Sequence, residues 1–185
     1  MHETSLGGTL LDYLTGETIE ETTYETFRQA LARLLVEERG YPKDKLQAKQ
    51  ELVYEIDGEQ FSRPIDIVAF DDAGRPLLLV MFCSGEIGSY EREASVAARL
   101  FPGGPAPFAV VSDTYSASLL EAATGQRLGE GMQAVPRWEN LLEMAESRQP
   151  EPLTSEQRNR LTRILHTYSG FLFGTCCQDC TTSQE

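Results

Sequence analysis

Apolar residues recur along this chain with two different periods, and each period marks a type of element. Tyr24, Phe27, Leu31, Leu34 and Leu35 fall on one stripe at helical spacing, and Gly40 followed by Pro42 stops it. This predicts a first helix. Glu51–Ile56 and Phe61–Phe70 alternate around Asp57-Gly58, a two-residue hairpin signal, and Leu77–Phe82 is an unbroken apolar run of the kind covered on both faces. The three runs predict an antiparallel meander. Ala94, Ala97, Ala98 and Phe101 predict a helix over 90–101, Phe108–Val111 a further strand beside the meander, and Thr114–Ala123 a short helix ended by Gly125. After Met132–Val135, Pro136 is placed to open a helix carrying Trp138, Leu141, Leu142 and Ala145. Thr154 and Gln157 form a capping box for a last helix running to about Tyr168, with Leu161, Ile164, Leu165 and Tyr168 inward.

The two ends of the chain lack this regularity. Residues 1–19, rich in Gly and Thr with Leu10, Leu11, Tyr13 and Leu14 as an apolar patch, are expected to form a loosely ordered arm docked on the body. Residues 20–147 then form one α/β domain, a mixed central sheet flanked by helices, and 148–185 supply a linker, the last helix and a cysteine-containing tail. With 185 residues and 41% hydrophobic content, the chain is long enough for one full core and too short for two ordinary domains.

Charge narrows the partners. Against 29 Asp and Glu there are 16 Lys and Arg, a formal charge of −13, whereas avid nonspecific binding to a phosphate backbone needs the opposite sign over a large surface. Arg92, Arg99, Arg127 and Arg137 either form a local basic patch or lie scattered on the surface. The first residues show neither a basic n-region nor an apolar h-region, and no apolar run approaches the roughly 20 residues of a bilayer span. A cytoplasmic protein with no membrane contact is expected, and with it reduced thiols at Cys83, Cys176, Cys177 and Cys180. Cys177 and Cys180 make a C-x-x-C to which Cys176 adds a third sulfur. The tail is therefore a zinc site completed by His166 or Cys83, a redox pair, or simply an apolar anchor, Phe171-Leu172-Phe173, followed by a polar end. Gly103-Gly104 lies among prolines without a P-loop lysine, so no phosphate loop is present there.

The chemistry concentrates around one aspartate. Arg63-Pro64-Ile65-Asp66-Ile67-Val68-Ala69-Phe70 leads through the turn Asp71-Asp72-Ala73-Gly74-Arg75 into Pro76-Leu77-Leu78-Leu79-Val80-Met81-Phe82-Cys83. Upstream stand Tyr24-Glu25-Thr26-Phe27-Arg28-Gln29 and Glu38-Arg39-Gly40-Tyr41-Pro42. In this order the segments resemble, over roughly residues 20–145, the amino-terminal nuclease domain of type I restriction-enzyme R subunits. The resemblance implies a restriction-endonuclease-like PD-(D/E)xK fold, with Asp66 as the family's aspartate and Glu25 supporting a metal site from the first helix. It also exposes departures: Met81 stands where a glutamate is expected, Cys83 where a lysine is expected, and Val96 and Leu100 where a glutamine and a tyrosine often stand.

Those departures bear on activity. Phosphodiester hydrolysis on this fold needs carboxylates to hold a hard divalent cation and a lysine to stabilise charge in the transition state. Residues two apart in a strand share a face, so a thioether and a thiol, soft ligands that suit Mg²⁺ badly, would project together where acid and lysine belong. The resemblance therefore implies a catalytically degenerate domain that serves as a binding or scaffold module, for an unknown protein partner or for self-association. The alternative is a Mg²⁺-dependent DNA endonuclease using Asp66, Glu25 and a relocated carboxylate, Glu86 or Glu55. Simpler roles stand beside these: a salt bridge from Asp66 to Arg63 or Arg28, a favourable acid at a helix start for Glu25, and a small buried hydrophobe for Cys83.

Overall fold

The computed structural model describes residues 4–173, and their side chains as far as Ser169. Its centre is a six-stranded mixed sheet built from β3 (Leu46–Ile56), β4 (Glu59–Phe70), β5 (Pro76–Phe82), β6 (Phe108–Ser112), β7 (Ala117–Glu121) and β8 (Arg127–Glu130), lying side by side in that order. The β3–β4–β5 meander is antiparallel as the alternation predicts, with the tight turn at Asp57-Gly58 setting Ile56 opposite Glu59. One connection is a crossover. The helix α2 (Glu91–Leu100) carries the chain back so that β6 runs parallel to β5, with Leu78 opposite Phe108 and Phe82 opposite Ser112.

Both faces of the sheet are covered, which explains why β5 is apolar at every position and buried throughout. On one face Leu79, Met81, Cys83, Ala109 and Val111 pack with Ala94, Ala97 and Ala98 of α2 and with Leu161 and Leu165 of the last helix. The small α2 residues let the helix lie close. On the other face Leu78, Val80, Phe82, Phe108 and Val110 meet Leu31 and Leu35 from the first helical segment and Leu141 from a third helix. That first segment is α1 (Thr23–Arg33), whose N-cap Thr22 hydroxyl accepts the Glu25 amide at 3.1 Å, continued by a π-helical turn over Leu34–Glu38 and stopped at Gly40 with φ 76°. The third is α3 (Trp138–Glu146).

Four expectations from the sequence need correction. Within the segment read as a loose arm, 1–19, the described residues from Thr4 on are ordered: β1 (Ser5–Leu11) and β2 (Thr18–Thr22) form an antiparallel hairpin, whose turn is held by Asp12 Oδ1 accepting the amides of Leu14 and Thr15 at 2.8 and 3.0 Å. Thr114–Ala123 is not helical. Ala117–Glu121 is strand β7, because Asp113 closes a turn onto the amides of Tyr115 and Ser116, and five residues of mixed apolar pattern fit either period. Pro136 precedes α3 by two residues instead of lying in its first turn. The last helix, α4 (Ser155–Phe173), runs past Tyr168 and takes in the segment read as a tail anchor. Its capping box forms as expected, Thr154 N–H to Gln157 Oε1 at 2.9 Å and Gln157 N–H to Thr154 Oγ1 at 3.2 Å.

Candidate functional site

The meander splays at Asp66. β4 pairs with β3 along nearly all its length but with β5 only from Ile67 to Phe70, so Asp66 is the first β4 residue beyond the last paired position. At this fork the Phe82 amide, which has no partner in the β4 ladder, donates to Asp66 Oδ2 at 2.6 Å. The carboxylate thus substitutes for a ladder acceptor. Its other oxygen, Oδ1, is hydrogen-bonded to the Tyr24 hydroxyl at the start of α1. Burial pushes the Asp66 carboxyl above the usual carboxylate range, against the pull of those two hydrogen bonds and of the Arg63 and Arg28 charges. Burial and the neighbouring carboxylate push the Tyr24 phenol up as well. Neither arginine is a direct partner in a salt bridge to Asp66: Arg63 pairs with Glu93 at 2.7 Å, and Arg28 pairs with Asp12 and Glu25.

Met81 and Cys83 do project together, as their spacing requires, and both lie in the apolar cluster beneath α2 and α4. Cys83 is fully buried, its Sγ 3.6 Å from the Gly85 carbonyl, and burial pushes its thiol up to about 11. A thiol in that state is a small hydrophobe at neutral pH and a poor metal ligand.

Glu25 belongs to a different set of contacts. Its Oε2 accepts from Arg28 Nε at 2.9 Å and from a terminal guanidinium nitrogen at 2.6 Å, while its Oε1 meets Lys49 Nζ. Arg28 also bonds to Asp12, which Gln29 Nε2 reaches at 3.2 Å. Burial opposes the charge on Arg28, but Asp12 and Glu25 outweigh it and hold the guanidinium above its usual value. For Asp12 burial is likewise outweighed, by Arg28 and two backbone amides, and its carboxyl falls to about 2. One Arg28 nitrogen, Nη1, is buried without a hydrogen-bond partner. Asp12, Glu25, Arg28 and Lys49 therefore make a charge-balanced chain beside the Asp66–Tyr24 pair, in which each acid already has its cations.

Tyr24, Asp12 and Lys49 were not singled out from the sequence. Lys49 had a readable signal: counting back from the Asp57-Gly58 turn puts it level with Asp66, between the pairs Ala48–Ile67 and Gln50–Ile65. Its φ of 52° is unusual for a strand residue and turns the side chain toward α1. Asp12 had none, because it lies in the segment read as an arm.

The remaining candidates do not join this cluster. Glu55 and Glu86 are exposed, on the projecting hairpin and in the loop after β5. His166 packs between Tyr54 and Phe61, with ring centroids 6.0 and 4.5 Å away. Cys176, Cys177 and Cys180 lie outside the described residues. Among the described residues no group of three or more His, Cys, Asp or Glu is placed to hold a metal ion. Both Asp66 oxygens and Glu25 Oε2 accept from protein donors, while Glu25 Oε1 is ion-paired with Lys49 but accepts no hydrogen bond, so one open oxygen beside two cations is a poor fit to a Mg²⁺ centre. No helix among the described residues is long and apolar enough to cross a membrane.

A family model described as the type I restriction enzyme R protein N terminus matches residues 23–136, more than half of the 185-residue chain. The chain belongs to this family. No curated relative and no solved structure matches it. The part matched to the R-protein N terminus starts at α1 and ends just before α3, so it contains the fork, Asp66, Met81 and Cys83. It leaves out the β1–β2 hairpin and α4. In this R-protein N-terminal domain, Asp12 and the α4 cover over the Met81–Cys83 face both come from outside the matched segment.

Proposed function

We infer that this R-protein N-terminal domain is a catalytically degenerate PD-(D/E)xK domain that acts as a binding or scaffold module. The observation carrying this reading is that Met81 and Cys83, at the positions where the resemblance expects glutamate and lysine, lie in a closed apolar cluster under α2 and α4. A hydrophobic interior at those two positions favours neither ion binding nor proton transfer. The occupation of Asp66 by Tyr24 and the Phe82 amide supports the same conclusion, since the family's aspartate has become a structural acceptor. The partner is a protein, either another subunit of a restriction-type assembly or a second copy of this chain, and the −13 charge disfavours nonspecific nucleic acid.

A metal-dependent endonuclease is the competing reading, and one contact favours it: Glu25 and Lys49 bring an acid and a lysine within a turn of Tyr24 and Asp66. Calorimetric titration of the full chain with Mn²⁺ separates the two. Degeneracy predicts no saturable binding; a one-to-one site lost in both Asp66→Asn and Glu25→Gln would return the domain to the nucleases.

A further inference from the structure

The central sheet has two edges of unequal length. β8, at one, has four residues, and β3, at the other, has eleven. An edge strand presents unpaired N–H and C=O groups to any extended chain alongside it, and proteins blunt such edges with short strands, bulges, proline or lysine. Because β4 meets β5 only from Ile67 onward, residues 51–64 form a two-stranded ribbon with an edge on each side. The turn decides which backbone groups face outward. Asp57 and Gly58 both have positive φ, 52° and 88°, the two-residue turn that closes a hairpin on a hydrogen-bonded pair, here Ile56 and Glu59. Bonded and non-bonded pairs alternate from there, so Glu55–Gln60, Val53–Ser62 and Glu51–Pro64 are non-bonded, and their N–H and C=O groups point away from the ribbon. Pro64 agrees with this phase, since a residue without an N–H fits only such a position.

The ribbon's two edges are finished differently. On the β4 side Pro64 has no donor to offer, and its carbonyl accepts from Arg63 Nη1 at 2.8 Å. On the β3 side only the first half is irregular. There Lys49, at φ 52°, interrupts the strand with its ammonium tied to Glu25, and Gln50 turns its side-chain amide back onto the Ala48 carbonyl at 3.1 Å. From Glu51 to Glu55 no such device is present. The outward backbone groups of Glu51, Val53 and Glu55 make no hydrogen bond among the described residues, and their side chains are exposed, Val53 at 48% despite being apolar. The opposite face of the same stretch is already packed, with Leu52 buried and Tyr54 against Phe61 and His166. The open edge is therefore held in place from below.

We propose that Glu51–Glu55 is a docking edge for a different protein chain, which adds a strand carrying a basic residue on either side of an apolar one. Such docking presupposes the binding-module reading above and gives that module its surface. Main-chain bonds to Glu51, Val53 and Glu55 supply affinity, and alternate side chains supply specificity. Glu51 and Glu55 share a face with Val53 between them, so a lysine or arginine opposite each glutamate is favoured. A second copy of this chain fits badly. With Val53 opposite Val53, each Glu51 meets a Glu55, and like charges directly opposite destabilise a pair. Sliding the pairing toward the turn sets Glu51 against Asp57, and sliding it the other way runs into the irregular backbone at Lys49.

The test is a heteronuclear NMR titration of the isotope-labelled full chain with an end-blocked seven-residue peptide, lysine at its second and sixth positions, valine at its fourth and threonine elsewhere. Saturable amide shifts centred on Glu51, Val53 and Glu55 are expected, with affinity falling about twofold or more when both lysines become glutamate. Val53→Pro removes one outward donor and leaves the β4 ladder whole, because that N–H is not bonded to β4. It should abolish saturation while circular dichroism and melting stay at wild type. Where Val53→Pro disturbs the fold, Glu51→Lys with Glu55→Lys decides instead, and that chain should prefer the glutamate peptide. The docking edge is refuted if the lysine peptide does not saturate, if its shifts lie elsewhere or survive Val53→Pro in a folded protein, or if the charge-reversed chain keeps the original preference. Concentration-dependent dimerisation abolished by Val53→Pro would give the edge to a second copy and overturn the basic partner. The degenerate-nuclease reading stands or falls separately, on the Mn²⁺ titration, in which this edge takes no part.

Discussion

Replacing Asp66 separates a structural carboxylate from a catalytic one. In Asp66→Ala the Phe82 amide and the Tyr24 hydroxyl each lose the acceptor they now share at the fork. A buried polar group left without a partner costs about 1–3 kcal/mol, so two give a destabilisation of about 2–6 kcal/mol, a large part of a domain's stability. Asp66→Asn behaves differently. The amide oxygen still accepts from Phe82 and the amide nitrogen donates to the Tyr24 oxygen, so both contacts survive. The pH dependence fixes the sign. Burial raises the folded Asp66 pKa above its unfolded value, so the folded state holds this proton more tightly. The stability this confers is fully present below the unfolded value near 3.9 and is lost as pH rises through the folded one. Asp66→Asn lacks that loss, and its stability relative to wild type therefore improves from acid toward neutral pH. Urea denaturation of both variants across that range measures all of this. An Asp66→Ala protein within about 0.5 kcal/mol of wild type would refute the fork argument, as would an Asn-to-wild-type difference that does not change with pH.

Other consequences follow from the same contacts. Arg28→Met leaves Asp12 and Glu25 buried without their shared cation and should cost about 3–5 kcal/mol in the same denaturation experiment. Because Asp12 is held at about 2, its contribution is present above the ordinary aspartate value of 3.8 and lost as pH falls toward 2; Asp12→Asn should flatten the acid limb of the stability curve. Cys83 should resist iodoacetamide in the native protein at neutral pH and react fully after unfolding, as peptide mass spectrometry reads, since its thiol is buried and raised to about 11. Writing the family's residues back, Met81→Glu with Cys83→Lys, puts two charges into an apolar cluster and should abolish cooperative melting instead of restoring a metal site.

The helix stripes and the meander were legible because their periods are long and consistent: Leu31 and Leu35 are buried as their spacing predicts, and every residue of β5 is covered. The failures share a cause. Ala117–Glu121 is too short for period to decide, and its identity as a strand comes from pairing with β6, a tertiary fact. The β1–β2 hairpin is glycine-rich and half-exposed, so little apolar alternation marks it, and what fixes it is Asp12 reaching Arg28 sixteen residues away. At the site, Asp66, Met81 and Cys83 could be aligned with a family pattern, but the partner that occupies Asp66 could not. Tyr24 stands next to Glu25 in sequence and looked like part of the core stripe; only the packing of α1 over the fork turns its hydroxyl onto the carboxylate.

The central claim is that this R-protein N-terminal domain does not cut DNA, and a cleavage assay tests it most directly. Supercoiled plasmid and linear duplex would be incubated with the full chain in Mg²⁺ and in Mn²⁺, beside Asp66→Asn, which keeps the fork's hydrogen bonds. The account predicts that wild type and variant give the same background of nicked product in both metals. Metal-dependent cleavage by the wild type that disappears in Asp66→Asn, with the variant's fold intact, would contradict it.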